Sequence, residues 1–159
     1  MAIYLKLNNV QGTVTTKGYE GWIQLIGMQQ QNTRQIVNAI GMQNSRDKSI
    51  PQFSHVSITK LMDKSSHKFL QYFCNGSAFD QIDIHCCTTD STPTAFLKFQ
   101  LSNVMVATLE NIISSDGHPI EAIDLSFSKF TQTYIPRDAT NKATSPIAIG
   151  YDLQTAQLS

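Results

Sequence analysis

The chain has 159 residues and a mass of 17.7 kDa, the size of a single domain with one hydrophobic core. Twelve Lys and Arg residues balance twelve Asp and Glu residues, which argues against a nucleic-acid binder, because such proteins concentrate an excess of basic side chains. The sequence contains no apolar run long enough to span a bilayer and begins without the pattern of a signal peptide. We therefore expect a protein that starts in the cytoplasm and does not insert into a membrane.

Alternating apolar and polar residues predict β-strands through the first part of the chain. The predicted strands span 2–7, Tyr19 to about Gln31, a weak segment near 34–40, and 53–61. In the last of these, Val56 and Ile58 are expected to face the core. Residues 41–52 have no periodicity and contain turn-forming residues, which predicts a protruding loop.

A short helix is predicted where the alternation stops. Residues 63–66 offer hydroxyl and carboxylate groups for an N-cap, and Asn75-Gly76 supplies a C-terminal stop. Spacing of four residues puts two pairs on one side of this helix, Phe69 with Phe73 and Leu70 with Cys74. We expect the helix to plug an open end of the β-structure.

Strand patterning then continues to the end of the chain. The predicted strands span 79–87, 95–110, 120–135 and 147–153, with a polar loop between Pro136 and Pro146. The apolar phase slips at Phe130, which predicts a β-bulge. Seven or eight strands with one helix, without repeats or linkers, indicate a single mainly β domain over residues 1–159. Its two sheets form either a barrel or a sandwich.

The sequence offers little catalytic or metal-binding chemistry. His85-Cys86-Cys87 resembles a metal-ligand cluster, but neighbouring residues of a strand point to opposite faces, so Cys86 and Cys87 cannot chelate one ion together. We therefore predict no catalytic residue, no metal and no cofactor, and expect the three cysteines, Cys74 among them, to be reduced core thiols.

Two functions remain open from the residues alone. One is a small ligand- or carbohydrate-binding module with Trp22 or His118 in its site. The other is a hydrolase with His85 or His118 as its base. In addition, uncharged Gln, Asn, Ser and Thr make up 53 of the 159 residues, and a surface of amides and hydroxyls is less costly to bury against a partner than a highly charged one.

An ordered set of motifs over nearly the whole chain resembles the haemolysin-coregulated protein (Hcp) family, the tube subunits of bacterial type VI secretion systems. The matching segments are Ala2–Leu7, Lys17–Ile23, Ile58–Lys60, Met62–Ser66, Asn103–Val106, Ser114–Gly117, Glu121–Ala122, Leu125–Phe127 and Gly150–Leu153.

The resemblance implies a structural function without catalysis. It implies that six copies form a ring with a wide lumen, that the rings stack into a tube, and that a contractile sheath fires the tube with a valine-glycine-repeat spike protein at its tip. The tube carries small effector proteins in its lumen. The protein would thus be cytoplasmic before firing and then secreted from a Gram-negative bacterium without a signal peptide. A phage-type tail-tube protein shares this architecture and is a further alternative.

Two sets of candidate functional residues follow from the resemblance. Gln29 and Gln31 are expected to face the lumen and its cargo. The loop residues expected to contact a neighbouring ring are Asn44, Ser45, Arg46, Asp47 and Lys48. Since this loop is charged where family members often have glycines, we expect its contacts to be sensitive to salt.

Overall fold

The structure is a computed structural model, and it describes residues 1–38, 46–48, 50–140 and 142–159. The first elements in chain order are β1 (Ala2–Leu7), β2 (Ile23–Leu25), β3 (Gly27–Thr33), β4 (Ile36–Asn38), β5 (Arg46–Lys48), β6 (Gln52–Leu61) and the helix α1 (Ser66–Asn75). They are followed by β7 (Ala78–Cys87), β8 (Ala95–Ile112), β9 (Ile120–Ser126), β10 (Lys129–Tyr134), β11 (Ile147–Asp152) and β12 (Gln157–Leu158). Within these ranges, no helix has the length and apolarity needed to cross a bilayer.

The strands form two packed antiparallel layers. Layer one has the strand order β12-β11-β10-β8-β7-β1-β2, and layer two is made by β3, β6, β9 and the second half of β8. Of the two architectures that the sequence left open, the structure is the sandwich-like one. The predicted fold class, mainly β with one short helix, is confirmed.

Strand β8 contributes to both layers because it bends at Asn103. Up to Ser102 its partners are β7 and β10, the pairing with β7 ends at Met105, and from Met105 onward β8 pairs with β9. Asn103 has a φ of 50°, in the left-handed region that Asn tolerates better than most residues. As a result, the buried positions change from odd to even numbers, from Leu101 to Val104.

The chain changes layer at two other places, and both correct a prediction. The slip before Phe130 is not a bulge within one strand. There β9 ends in layer two and β10 begins in layer one, with the Ser128 N–H donating to the Ser102 carbonyl at 3.1 Å. The long strand predicted from Tyr19 is likewise two strands that meet at Ile26, whose N–H donates to the Thr59 carbonyl at 2.7 Å. A phase change in the sequence marks a discontinuity but does not distinguish a bulge from a change of layer.

The core lies between the layers and follows the predicted alternation. Val56 and Ile58 are buried as predicted, and so are Ile82, Ile84 and Cys86 of β7. A smaller cluster at the outer side of layer one combines Tyr4, Val14, Tyr19, Cys87 and Ala95 with the partly buried Ala2 and Trp22. Cys86 and Cys87 are thus buried free thiols, as expected, whereas Cys74 is exposed on α1, contrary to the expectation of a core thiol.

Helix α1 is anchored by a different pair of side chains from those predicted. Phe69 is fully buried, and the Tyr72 ring stacks on Phe79 with centroids 4.0 Å apart. Leu70 and Phe73, by contrast, are 49% and 44% exposed. Inward positions spaced by three residues decide the packing, so the predicted i,i+4 pairs do not form the buried side. The helix ends as predicted at Gly76, which has a φ of 62°.

The predicted loop 41–52 contains regular structure where it is described. Strand β5 pairs with β4 in a two-stranded antiparallel sheet, with Asp47 opposite Val37, and β6 begins at Gln52. The prediction of an aperiodic loop is therefore wrong for these residues. Residues 39–45 and 49 lie outside the described part of the chain.

Candidate functional surfaces

The outer side of layer two carries a row of small polar side chains. Gln29 of β3 pairs with Ser57 of β6, Ser57 with Asp124 of β9, and Asp124 with Thr108 of β8. The Ser57 hydroxyl donates to Asp124 Oδ1 at 2.5 Å, and Gln29 and Thr108 are exposed. We call this row and its surroundings the β3–β6–β9 face. The row itself consists of amide, hydroxyl and carboxylate groups.

The structure places Gln29 and Gln31 differently. Gln29 lies in the regular part of β3, whereas the pairing of β3 with β6 shifts between Gln30 and Asn32. At this irregularity the Ser54 hydroxyl accepts from the Gln31 N–H at 3.1 Å and donates to the Gln31 carbonyl at 2.5 Å. Both glutamines are exposed, but Gln29 alone belongs to the polar row across the four strands.

The predicted ring-stacking residues are only partly described. Asn44 and Ser45 lie outside the described residues. Arg46, Asp47 and Lys48 form β5, which pairs with β4. Their contribution to contacts between rings stays a prediction.

A buried ionic cluster connects α1 to layer two. Lys60 is fully buried, and its Nζ donates to Glu121 Oε2 at 2.7 Å, to Asp63 Oδ1 at 2.8 Å and to Ser66 Oγ at 3.1 Å. The Ser66 hydroxyl donates to Glu121 Oε2 at 2.6 Å. Every residue of the cluster therefore has a hydrogen-bonding partner, as a buried charge requires.

The electrostatics of the cluster favour the charged form of Asp63. Partial burial by itself raises the pKa of this carboxyl, but hydrogen bonds from Lys60 and Ser65 outweigh that effect and lower the pKa below its ordinary value. The sequence did not predict this pairing, although a signal was present. Lys60 and Glu121 occupy inward positions of their strands, in phase with Ile58 and Ile123.

The two histidines considered as catalytic bases have different surroundings. His118 is exposed in the turn before β9. His85 lies between Tyr19, whose hydroxyl is 3.2 Å from His85 Nδ1, and Trp22, whose ring centroid is 4.8 Å from that of His85. Burial, together with the charge of Lys98, lowers the pKa of His85 to about 4, so the imidazole is neutral near pH 7.

In the described ranges, no group of three or more His, Cys, Asp or Glu side chains is arranged to hold a metal ion. Burial is the main factor that raises the pKa of both Cys86 and Cys87, which keeps these thiols protonated at neutral pH. The cysteine pair is thus part of the packing.

Comparisons with known proteins agree with the fold and the motifs. Residues 4–134 match the family model described as "Type VI secretion system effector, Hcp". A solved structure described as "Structure of a type six secretion system protein" matches with a TM-score of 0.93 and 25% identity, covering 99% of both chains. No curated protein matches the chain.

Two further solved structures share the fold at lower identity. Hcp1 from Salmonella typhimurium matches with a TM-score of 0.81 and 19% identity, over 99% of this chain and 98% of that chain. A type VI secretion system effector from Yersinia pestis matches with a TM-score of 0.73 and 18% identity, over 94% and 98% of the two chains. Since the family model covers most of its length, the chain belongs to the Hcp family, structural tube proteins of the type VI secretion system.

Proposed function

We propose that this protein is the tube subunit of a type VI secretion system, forming hexameric rings that stack into a conduit for effector proteins. The observation that carries the proposal is the end-to-end structural match, at a TM-score of 0.93 over 99% of both chains, with a type six secretion system protein. The function is geometrical, and it requires no catalytic residue.

The β3–β6–β9 face is the surface that we assign to the lumen. A conduit needs a wall that stays hydrated and does not trap its cargo, because apolar patches would bind unfolded or partly exposed chains. The row from Gln29 to Thr108 meets this requirement with amide, hydroxyl and carboxylate groups. Gln29 is the position at which we expect cargo contact.

The edge of layer one supplies apolar surface for a contact between subunits. Strand β12 ends the layer and pairs only with β11 among the described strands. The neighbouring Ile147 and Ile149 are 65% and 55% exposed, and Leu158 is 72% exposed. Such an edge favours association, and a head-to-tail contact closes into a ring when its rotation permits.

The remaining partners follow from the proposed tube. Residues 44–48 contact the next ring, a valine-glycine-repeat spike protein caps the tube, and a contractile sheath surrounds and fires it. The protein is synthesised in the cytoplasm and then secreted with the tube, its lumen carrying small effectors.

Light scattering on the purified protein tests the proposal. The expected result is a particle of about six times the protomer mass of 17.7 kDa, visible as rings in negative stain. A monomer at high concentration in mild buffer would contradict the proposal and would favour the small ligand-binding module.

A further inference from the structure

The outer side of layer one contains a second polar site, apart from the two surfaces assigned above to the lumen and to the contact between subunits. It is a cavity of about 300 Å³, on the opposite side of the sandwich from the β3–β6–β9 face. Two cross-strand rows form its floor. Lys6, Asp83 and Gln100 lie in one row, and His85 and Lys98 in the next. We call this cavity the layer-one pocket.

The pocket has a surplus of positive charge. Lys6 and Lys98 each contribute an ammonium group, and neither forms an ion pair, because both ion pairs of the described residues are made by Lys60. The Asp83 carboxylate accepts from Gln81 Nε2 at 2.9 Å and from Gln100 Nε2 at 3.2 Å. Amide donors therefore occupy part of the single carboxylate, and the neutral His85 adds no charge.

An aromatic wall stands next to these charges. Trp22 is half-buried, and Tyr19 makes an edge contact with it at a centroid distance of 4.8 Å. The Tyr19 ring also stacks on Tyr4 with centroids 4.6 Å apart. Lys6 Nζ lies 5.8 Å from the centroid of Trp22. The indole is thus held in place by packing before any ligand arrives, which reduces the entropy lost on binding.

We propose that the layer-one pocket binds a small ligand that joins a phosphate group to a planar ring, the class of nucleoside monophosphates and aryl phosphates. The phosphate lies between Lys6 and Lys98, and the ring lies against Trp22. The hydroxyls of Thr131 and Thr133, which also line the pocket, are further donors to the phosphate. Its volume is near the lower limit of small-molecule sites, which restricts the ligand to about the size of a mononucleotide.

Phosphate is favoured over carboxylate by the donors present. Ammonium and hydroxyl groups bind phosphate oxygens as separate single donors, whereas planar carboxylate recognition uses the paired donors of Arg. None of the residues lining the pocket is an Arg. The inference does not depend on the ring, since every group named belongs to one protomer.

The intrinsic fluorescence of Trp22, the single tryptophan of the chain, tests the proposal directly. The full-length protein is titrated with adenosine monophosphate, inorganic phosphate and adenosine in separate arms, with excitation where adenine does not absorb. We expect a saturable change with adenosine monophosphate, competition by inorganic phosphate, weaker binding at raised NaCl, and at least tenfold weaker binding of adenosine. Absence of a saturable change at millimolar adenosine monophosphate would overturn the proposal.

Removal of a positive charge and removal of a negative charge from the pocket should change its affinity for adenosine monophosphate in opposite directions. Lys6→Ala and Lys98→Ala should each weaken binding about tenfold, whereas Asp83→Asn should strengthen it, because it removes the like charge beside the phosphate. Lys129→Ala is the matched control, since Lys129 lies on the same outer side of β10 as Thr131 but outside the pocket. The Lys129→Ala variant should bind adenosine monophosphate with the same affinity as the unmodified protein.

The proposal is wrong if Lys129→Ala weakens binding as much as the two pocket lysines, or if Asp83→Asn weakens it. Circular dichroism and particle mass, recorded on the same samples, report folding and ring formation. A loss of the ring is thereby distinguished from a loss of ligand binding.

Discussion

Two groups of lysine and carboxylate side chains in this molecule have contrasting environments. Beneath α1, the fully buried Lys60 donates hydrogen bonds to Glu121 and Asp63. In the layer-one pocket, Lys6 and Lys98 are open to solvent on one side and form no ion pair with any described residue. The residue types are the same in the two places, and burial accounts for the difference.

The contrast shows what each arrangement contributes. A buried charge that lacks a partner costs several kcal/mol, so the cluster beneath α1 is complete and acts on the stability of the fold. An exposed charge keeps its hydration, and an exposed ion pair contributes little. Unpaired lysines are therefore tolerated on the surface, where they are available to a ligand.

The largest decrease in the free energy of unfolding is expected for Glu121→Ala. It leaves Lys60 buried without its closest carboxylate, 2.7 Å away, and should lower the free energy of unfolding by about 3–5 kcal/mol, measured by urea denaturation. Lys6→Ala is the control, with an expected change of about 0.5 kcal/mol or less.

A double variant keeps this prediction testable if Glu121→Ala does not fold. Lys60→Met combined with Glu121→Leu removes both charges and should be more stable than either single variant. Equal losses for Glu121→Ala and Lys6→Ala would show that the buried and exposed lysines do not differ as proposed.

The second prediction concerns pH and His85. The folded protein has a His85 pKa of about 4 against an ordinary value of 6.5, so the unfolded chain binds the proton more readily between these values. Stability should therefore fall as the pH is lowered from about 6.5 to about 4. His85→Gln should make this decrease smaller, as measured by urea midpoints at a series of pH values. An NMR titration of His85 with a midpoint near 6.5 would contradict the prediction.

The third prediction separates ring stacking from folding. Replacement of residues 44–48 by a Gly-Ser linker should leave the free energy of unfolding within about 0.5 kcal/mol and leave rings intact, because the described part of this segment, β5, pairs with β4 in a two-stranded sheet separate from the two layers. Stacking and secretion should be impaired, as seen by electron microscopy and by assay of the culture medium. In the unmodified protein, raised salt should weaken stacking. Unchanged secretion would remove the loop from the mechanism.

The smallest effect on stability is expected for Gln29→Arg, because this side chain is exposed on the β3–β6–β9 face. Ring formation should be unchanged, while the amount of effector that copurifies with the rings should change. Gln154→Arg, the same substitution in the exposed turn after β11, should leave cargo unchanged. If cargo levels are the same in both variants, Gln29 does not face the lumen.

Local periodicity predicted most of the strands because inward and outward side chains alternate wherever one face of a strand is buried. It failed at Ile26 and before Phe130, where the chain passes from one layer to the other. It also misassigned part of α1, since Tyr72 packs against the sheet together with Phe69, whereas the predicted Phe73 is exposed. Both errors arise because the pattern of a segment contains no information about the elements that pack against it.

Among the candidate functional residues, the alternation accounts for the exposure of Gln29 but not for its row with Ser57, Asp124 and Thr108, which combines four strands distant in sequence. The layer-one pocket was missed for the same reason, as Lys6 and Lys98 come from strands 92 positions apart in the numbering. The role of Gln29 and Gln31 in the lumen stays a prediction.

The amino-acid sequence by itself determined most of the strands, the short helix and its end at Gly76, and the motifs that place the chain in its family, since each depends on residues close together in the chain. Tertiary structure alone decided which strands share a layer, how Lys60 meets Glu121 across 61 positions, and which polar side chains form a surface. Those features arise from pairing between distant strands, and burial there decides whether a charge stabilises the fold or remains free to bind.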